Sequence, residues 1–152
     1  MQYIRTQIAK DLGLYKNGLQ AATPGSAGID LYAAMDYTIE LGGASDAEAF
    51  VHTGIHIWGQ DAHKAIMLLP RSSSQYQMVN TVGLIDSDYQ GELIFRIRNP
   101  FYDRKIVIKP GDKFGQFIQL SVVPAYQMNA IEVEEFEYVT KRNAGGFGST
   151  GV

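Results

Sequence analysis

The sequence predicts an all-β single domain, a barrel or a sandwich, and three observations carry that prediction. The first is period-two alternation. Tyr37-Thr38-Ile39-Glu40-Leu41, Leu93-Ile94-Phe95-Arg96-Ile97-Arg98 and Lys105-Ile106-Val107-Ile108 each put apolar side chains on one face, as a half-buried strand requires. The second is glycine punctuation, with Gly13, Gly18, Gly25, Gly28, Gly42, Gly43, Gly54, Gly59, Gly83, Gly91, Gly111 and Gly115 spaced as in a chain of many short strands. The third is the lack of any long 3.6-residue stripe with caps. One short helix is predicted, around Ser72 to Val79, opening after Pro70 with serines available to cap it. Lys109-Pro110-Gly111-Asp112 reads as a turn by mechanism, since Pro presets φ at the second position and Gly accepts positive φ at the third.

At 152 residues the chain is one domain by length, large enough to bury a proper core. Its apolar share of 45% and charged share of 19% are those of an ordinary soluble globule. There is no cysteine, so disulfides and thiolate metal sites are excluded, which fits a cytoplasmic location. Met1-Gln2-Tyr3-Ile4-Arg5-Thr6 lacks the apolar run of a signal peptide, and the longest apolar run, Ala65-Ile66-Met67-Leu68-Leu69, is far short of a membrane span. A net charge of −3 argues against coating nucleic acid. Neither nucleic acid nor membrane is therefore an expected partner, and a polyanionic ligand would need locally gathered cations.

The organisation expected is a β domain over residues 1–141 followed by a flexible glycine-rich lid over 142–152. Arg142-Asn143-Ala144-Gly145-Gly146-Phe147-Gly148-Ser149-Thr150-Gly151-Val152 strings one cation and one ring on a thread that glycine entropy keeps from holding a fold together. Such a thread can order over a ligand, with the Arg142 fork suited to phosphate and Phe147 to a flat ring. A phosphate and a base in one ligand mean a nucleotide. Gly146 to Gly151 also matches G-x-G-x-x-G, but that fingerprint needs a following helix to receive the pyrophosphate, and one residue follows it here. The bland alternative is a terminus with no role.

Three interior segments look chemical, each with a plain structural alternative. Gly83-Leu84-Ile85-Asp86-Ser87-Asp88-Tyr89-Gln90-Gly91-Glu92 reads as a hairpin presenting its backbone edge with Asp86 at the mouth, or as an Asp-rich turn. Pro70-Arg71-Ser72-Ser73-Ser74 reads as an anion site, or as an ordinary helix cap. Asp30, inside Ala27-Gly28-Ile29-Asp30-Leu31, is either a solvated turn residue or a buried and partnered one. His52 and His56 have the spacing of a helical metal pair, but Thr53-Gly54-Ile55 between them reads as strand, so no metal role is assigned. Trp58, the single tryptophan, is read as packing.

Taken together these segments resemble the trimeric all-β dUTP pyrophosphatase (dUTPase) family, with five motifs in family order. They are Thr23-Pro24-Gly25-Ser26-Ala27-Gly28-Ile29-Asp30-Leu31, Pro70-Arg71-Ser72-Ser73, Asn80 through Glu92, Pro110-Gly111-Asp112-Lys113-Phe114-Gly115-Gln116 and the tail. Thr53-Gly54-Ile55 resembles the family's short pre-strand turn. The resemblance implies a β-barrel of jelly-roll, β-clip type and hydrolysis of dUTP to dUMP and pyrophosphate. Asp86 matches the general base for water attack on the α-phosphorus, and Mg²⁺ is the implied cofactor, held mostly by the triphosphate. Asp30 matches an acid that organises the metal-water shell, indirectly through water, or the site itself. Arg71, Ser72 and Ser73 match phosphate-side residues, Gln116 a phosphate-side or water-ordering amide, and Arg142 the γ-phosphate ligand. Asn80 and the backbone of Gly83, Leu84 and Ile85 match the uracil-reading edge, and Tyr89 the ring on the deoxyribose. Phe147, with Gly148 and Ser149, matches the cover over uracil. A homotrimer with shared sites is implied.

The chain departs from the family pattern at Asn143, where glycine is usual after the Arg, and at Lys113-Phe114-Gly115, where Arg-aliphatic-Ala is commoner. Ser74-Gln75-Tyr76-Gln77 is more polar than usual, and the stretch from Gly42 to His63 is atypical. Two alternatives stand beside the hydrolase: an enzyme of the related dCTP deaminase group, and a nucleotide-gated regulatory partner protein in which the tail acts as the lever.

Overall fold

A computed structural model describes residues 1–80, 82–128 and 130–132. The strands are β1 (Gln2–Arg5), β2 (Ile29–Tyr32), β3 (Tyr37–Ile39), β4 (Glu48–Trp58) and β5 (Lys64–Pro70), then β6 (Gln77–Met78), β7 (Gly83–Ile85), β8 (Glu92–Arg98), β9 (Ile106–Ile108) and β10 (Lys113–Ser121). The alternation read from the sequence becomes burial. In β8, Leu93, Phe95 and Ile97 are buried while Arg96 and Arg98 face solvent, and in β9 Ile106 and Ile108 go inward while Val107 is exposed. All pairings are antiparallel. One sheet runs β1-β4-β8-β6, a second β2-β10-β5-β7, and β3-β9 form a small third. The predicted Lys109–Asp112 turn is present, closed by the Asp112 amide on the Lys109 carbonyl at 3.0 Å with Gly111 at φ +89°.

One apolar core joins the two larger sheets, with Val51, Ile55 and Ile57 of β4, Leu93, Phe95 and Ile97 of β8, Ile66 and Leu68 of β5, and Phe114 and Phe117 of β10. Phe95 meets Phe114 edge-on, centroids 4.8 Å apart at 71°, within the 4.5–7 Å range that aromatic pairs favour. The same ring lies so close to the β10 backbone that a Cβ on Gly115 would come 2.6 Å from Phe95 Cζ. This contact explains the Phe114-Gly115 departure. A larger aromatic pair has replaced the space that an alanine methyl would take.

The structure corrects the sequence reading in three places. The short helix is α1 (Gln7–Asp11), capped by the Thr6 hydroxyl accepting the Ala9 amide, and the Ser72–Val79 segment is not helical. There, Ser74 Oγ accepts the Arg71 amide and donates to the Phe114 carbonyl, the Tyr76 hydroxyl also donates to Phe114, and Gln77–Met78 join a sheet as β6. Side-chain bonds to β10 thus outcompete a helix that this short polar segment could not nucleate. Second, Gly83 to Glu92 is not a paired hairpin. β7 pairs with β5 and β8 with β4 and β6, so residues 86–91 form a corner between sheets. Third, Trp58 is 55% exposed, because alternation in β4 turns His56 and Trp58 outward while Ile55 and Ile57 fill the core.

Gly115→Ala is expected to destabilise the fold by about 1–3 kcal/mol, the usual range for an overpacked core. Urea denaturation checks this, and adding Phe95→Leu to Gly115→Ala should recover part of the loss.

Candidate active site

The β2-β10-β5 ladder gathers one set of polar residues. Asp30 on β2 lies opposite Gln116 on β10, which lies opposite Leu69 on β5, and β5 ends immediately before Arg71. Asp30 is the partnered acid of the two alternatives. Its Oδ1 pairs with Arg71 Nε and its Oδ2 with Lys113 Nζ, each at 3.1 Å, and its side chain is 20% exposed. Arg71 Nη1 also donates to the Lys113 carbonyl at 3.2 Å, and Lys113 stands 5.7 Å over the Tyr32 ring. The hydrogen bond from Lys113 to Asp30, then the fields of Tyr32 and Asp30, hold the ammonium above its ordinary value of 10.5. Two cations on one carboxylate leave a local excess of positive charge in a chain that is acidic overall, which suits a polyanion.

The surrounding backbone fixes these side chains. The Arg71–Ser74 turn is tied down through Ser74 Oγ, while Ser72 and Ser73 stand exposed at its tip. Gln116 Nε2 donates to the Pro70 carbonyl at 3.1 Å. Its Oε1 occupies the space over Gly28, where a Cβ would approach it to 2.5 Å, so Gly28 makes room for the amide. Lys113 stands between two surface clefts. One is lined by Asp30, Tyr32 and the loop from Gly13 to Ala22, the other by Arg71, Ser73, Ser74 and Lys105.

A second set lies at the far edge of the same sheet. β7 carries Gly83, Leu84 and Ile85, pairs with β5 on one side, and among the described residues has no strand on the other. Its outer N–H and C=O groups are therefore a template for pairing. Asn80 is exposed before it and Asp86 is exposed after it, at the start of the corner. The Tyr89 amide donates to the Asp86 carbonyl at 3.2 Å, and the Tyr89 hydroxyl to the Glu92 carbonyl at 2.9 Å. The Tyr89 ring covers Gly91 so closely that any Cβ there would fall inside it.

The two sets adjoin at one point, since Arg71 follows β5, the strand that pairs with β7, and Gln116 lies beside β5 on β10. Asp30 and β7 occupy opposite edges of the sheet, three strand spacings or roughly 14 Å apart. Arg142, Phe147, Gly148 and Ser149 lie outside the described residues, as does Thr81. Among the described residues no three His, Asp or Glu side chains are placed to hold a metal, and both Asp30 oxygens are committed to cations.

A family model described as dUTPase matches residues 15–151. The chain belongs to the dUTPase family. The deoxyuridine 5'-triphosphate nucleotidohydrolase of Acinetobacter baumannii is 42% identical over 134 residues, covering 86% of this chain and 85% of its own. That of Citrobacter koseri is 43% identical over 134 residues, covering 86% and 84%. Among solved structures, the Staphylococcus bacteriophage 80alpha dUTPase with dUpNHpp superposes with a TM-score of 0.75 at 20% identity, covering 99% of this chain and 98% of that one. The Streptococcus mutans dUTPase gives 0.66 at 22% identity, covering 81% and 97%. The dUTPase fold expected from the five motifs is therefore present, with one short helix placed elsewhere.

The sequence did not disclose three features of this dUTPase-family site: the double pairing of Asp30, the room that Gly28 leaves for Gln116, and the Tyr89 ring over Gly91. Lys113 beside the Asp-containing strand carried no spacing signal, because the two are joined only by sheet register. Asp30→Asn should lower the Lys113 titration midpoint toward the ordinary lysine value, read from the Cε chemical shift by NMR. The sign follows from the raised ammonium. Its stabilising pair is fully present below pH 10.5 and is lost as pH rises through the folded-state value, so neutral-pH stability should not vary from this source.

Proposed function

We propose that this dUTPase-family chain is a dUTP diphosphatase working as a homotrimer with shared active sites. The dUTP diphosphatase reading is supported by the family match over residues 15–151, and the shared trimeric site by the motif resemblance to that family. Arg71, Lys113, Ser72, Ser73 and Gln116 supply a phosphate side, and Asn80, β7, Asp86 and Tyr89 supply a nucleoside and water side. In the shared-site reading a second copy of the chain completes each site.

In this reading the β7 edge pairs with uracil. Peptide N–H and C=O groups offer uracil the complementary pattern, and cytosine presents the reversed one. Groups left unpaired in that case disfavour cytosine by about 10⁴–10⁵, as in comparable sites. Tyr89, folded over Gly91, packs on the deoxyribose and leaves no room for a 2′-hydroxyl. Asn80 helps hold the base, and Phe147, Gly148 and Ser149 cover it while Arg142 takes the γ-phosphate.

Hydrolysis then follows by in-line displacement. Asp86 orients a water, accepts its proton as the water oxygen bonds the α-phosphorus, and the bond to the β-bridging oxygen breaks to release pyrophosphate. An exposed carboxylate is a weak base, so positioning and charge stabilisation must supply most of the rate. Arg71 and Lys113 meet the negative charge that develops on the phosphates, and Asp30 keeps both cations aimed. Mg²⁺ bound with the triphosphate would supply further charge neutralisation. A protein described from phage phi11 of S. aureus coordinates a structural Mg(II) ion. A cytoplasmic location is part of the proposal and rests on the cysteine-free sequence.

The curated relatives named above are dUTP nucleotidohydrolases, which favours this enzyme over a deaminase, and the regulatory reading depends on a tail outside the described residues. Pyrophosphate release should be observed with dUTP and not with dCTP, dTTP or UTP; hydrolysis of dCTP or of nothing overturns the assignment. Asp86→Asn should lower kcat by roughly 10²–10⁴-fold, the range for loss of a general base, while dUTP affinity measured by calorimetry changes little.

A further inference from the structure

The corner from Asp86 to Gly91 has to be stiff if Asp86 and Tyr89 are to act together, yet it lies exposed between two sheets. Its own bonds are few. Among the described residues they are the Tyr89 amide on the Asp86 carbonyl and the Tyr89 hydroxyl on the Glu92 carbonyl. What anchors it comes from β4. There the register with β8 slips between His52, opposite Ile94, and His56, opposite Glu92, so that four residues of β4 pass against two of β8. The excess is a bulge at Thr53-Gly54-Ile55, with Gly54 at φ +74° and an added Cβ there falling 2.6 Å from Ala9 Cβ and 3.2 Å from Thr6 Oγ1, so that only glycine fits.

The bulge turns both histidine rings toward the start of β8. His56 Nδ1 donates to the Gln90 carbonyl at 3.2 Å, inside the corner. His52 Nδ1 donates to Glu92 Oε2 at 2.9 Å, while Glu92 Oε1 accepts the Gly54 amide at 2.7 Å. Thr53 Oγ1 donates to the Leu93 carbonyl at 2.8 Å. The pairing is itself supported from behind, since the His52 amide donates to the Tyr37 hydroxyl at 2.8 Å and the Tyr15 hydroxyl donates to the Thr53 carbonyl at 3.1 Å. Burial raises the pKa of both phenols, and Glu92 adds to the effect, so both stay neutral. The Glu92 side chain is 15% exposed, which makes its bonds to the bulge stronger than surface contacts.

We propose that His52 and His56, acting with Glu92, form a two-histidine clamp that positions the Asp86–Gly91 corner and thereby sets the placement of Asp86 and the Tyr89 ring. The spacing that suggested a metal pair on a helix serves a different purpose on a bulged strand. The residues flanking Gly54 reach the same neighbouring segment from two points, one at its last turn and one at its junction with β8. Both rings act as Nδ1–H donors, so the clamp holds whether the imidazoles are neutral or charged. These are positioning residues and touch no substrate. The functional consequence rests on the assignment of Asp86 and Tyr89 made above; the mechanical one does not.

The test pairs His52→Ala/His56→Ala with His52→Asn/His56→Asn, because an Asn Nδ2 falls where the His Nδ1 lies and can make the same donation. Hydrogen–deuterium exchange of the peptide spanning residues 86–91 should speed up in the alanine pair and return toward wild type in the asparagine pair. With dUTP, kcat/KM should fall about tenfold in the alanine pair, the factor expected for one or two lost hydrogen bonds. The preference for dUTP over UTP should narrow by a similar factor as the Tyr89 ring loosens, and the asparagine pair should restore both. Melting temperature is followed alongside, and if the alanine pair does not fold, His56→Ala alone, at its partly exposed site, carries the same measurements. Unchanged exchange and discrimination, or asparagine variants that behave like the alanines, overturn the clamp. Wild-type protein that releases no pyrophosphate from dUTP overturns the functional assignment beneath it, and the exchange experiment still decides the clamp.

Discussion

The contact on which the rest of the structure depends is that of Phe95 with the backbone at Gly115. It is where the two larger sheets meet, through a ring on β8 set edge-on to Phe114 and against a position with no side chain. Gly115 lies between Lys113 and Gln116, so the closeness of the sheets decides where both of those side chains emerge. Core packing at native density transmits such constraints, since neither sheet can shift without opening a void or forcing a clash. The polar site on β10 is thus located by an aromatic contact buried beneath it.

Electrostatics then organises what packing has placed. Asp30 is the common partner of Arg71 and Lys113, and the three come from strands or turns far apart in sequence. The carboxylate takes up part of the positive charge and aims the remainder. Partly exposed pairs of this kind contribute little to stability, and what the pairing fixes is where the two cations point. The nucleoside side works differently. There the groups on offer are the backbone edge of β7 and an aromatic ring folded over a glycine, so that set is defined by shape and peptide geometry.

Much of this was legible in the residues. Period-two alternation located β8, β9 and β3, overrunning β3 by Glu40 and Leu41, and Pro110-Gly111 located its turn. Five motifs in order identified the family and marked Asp30, Arg71, Asp86, Tyr89 and Gln116. The misreadings share a cause. Ser72 to Val79 looks helical only if its side chains are ignored, and those of Ser74 and Tyr76 bond to Phe114, a strand that lies about 40 positions away in the chain. His52 and His56 looked like a pair with nothing to bind because their partners, Glu92 and the Gln90 carbonyl, become neighbours only through the register of β4 with β8. Trp58 was read as packing, whereas its parity on the strand turns it outward.

The sequence by itself determined the fold class, the family and the chemical type of each site residue, because alternation, turn glycines and short motifs are local properties of the chain. Tertiary structure alone decided which residues share a carboxylate, which glycines are empty so that a neighbour can fill the space, and that β7 is left with an unpaired outer edge among the described residues. The physical reason is strand register. It joins residues far apart in sequence, and a shift of one position would send every one of these side chains to the other face.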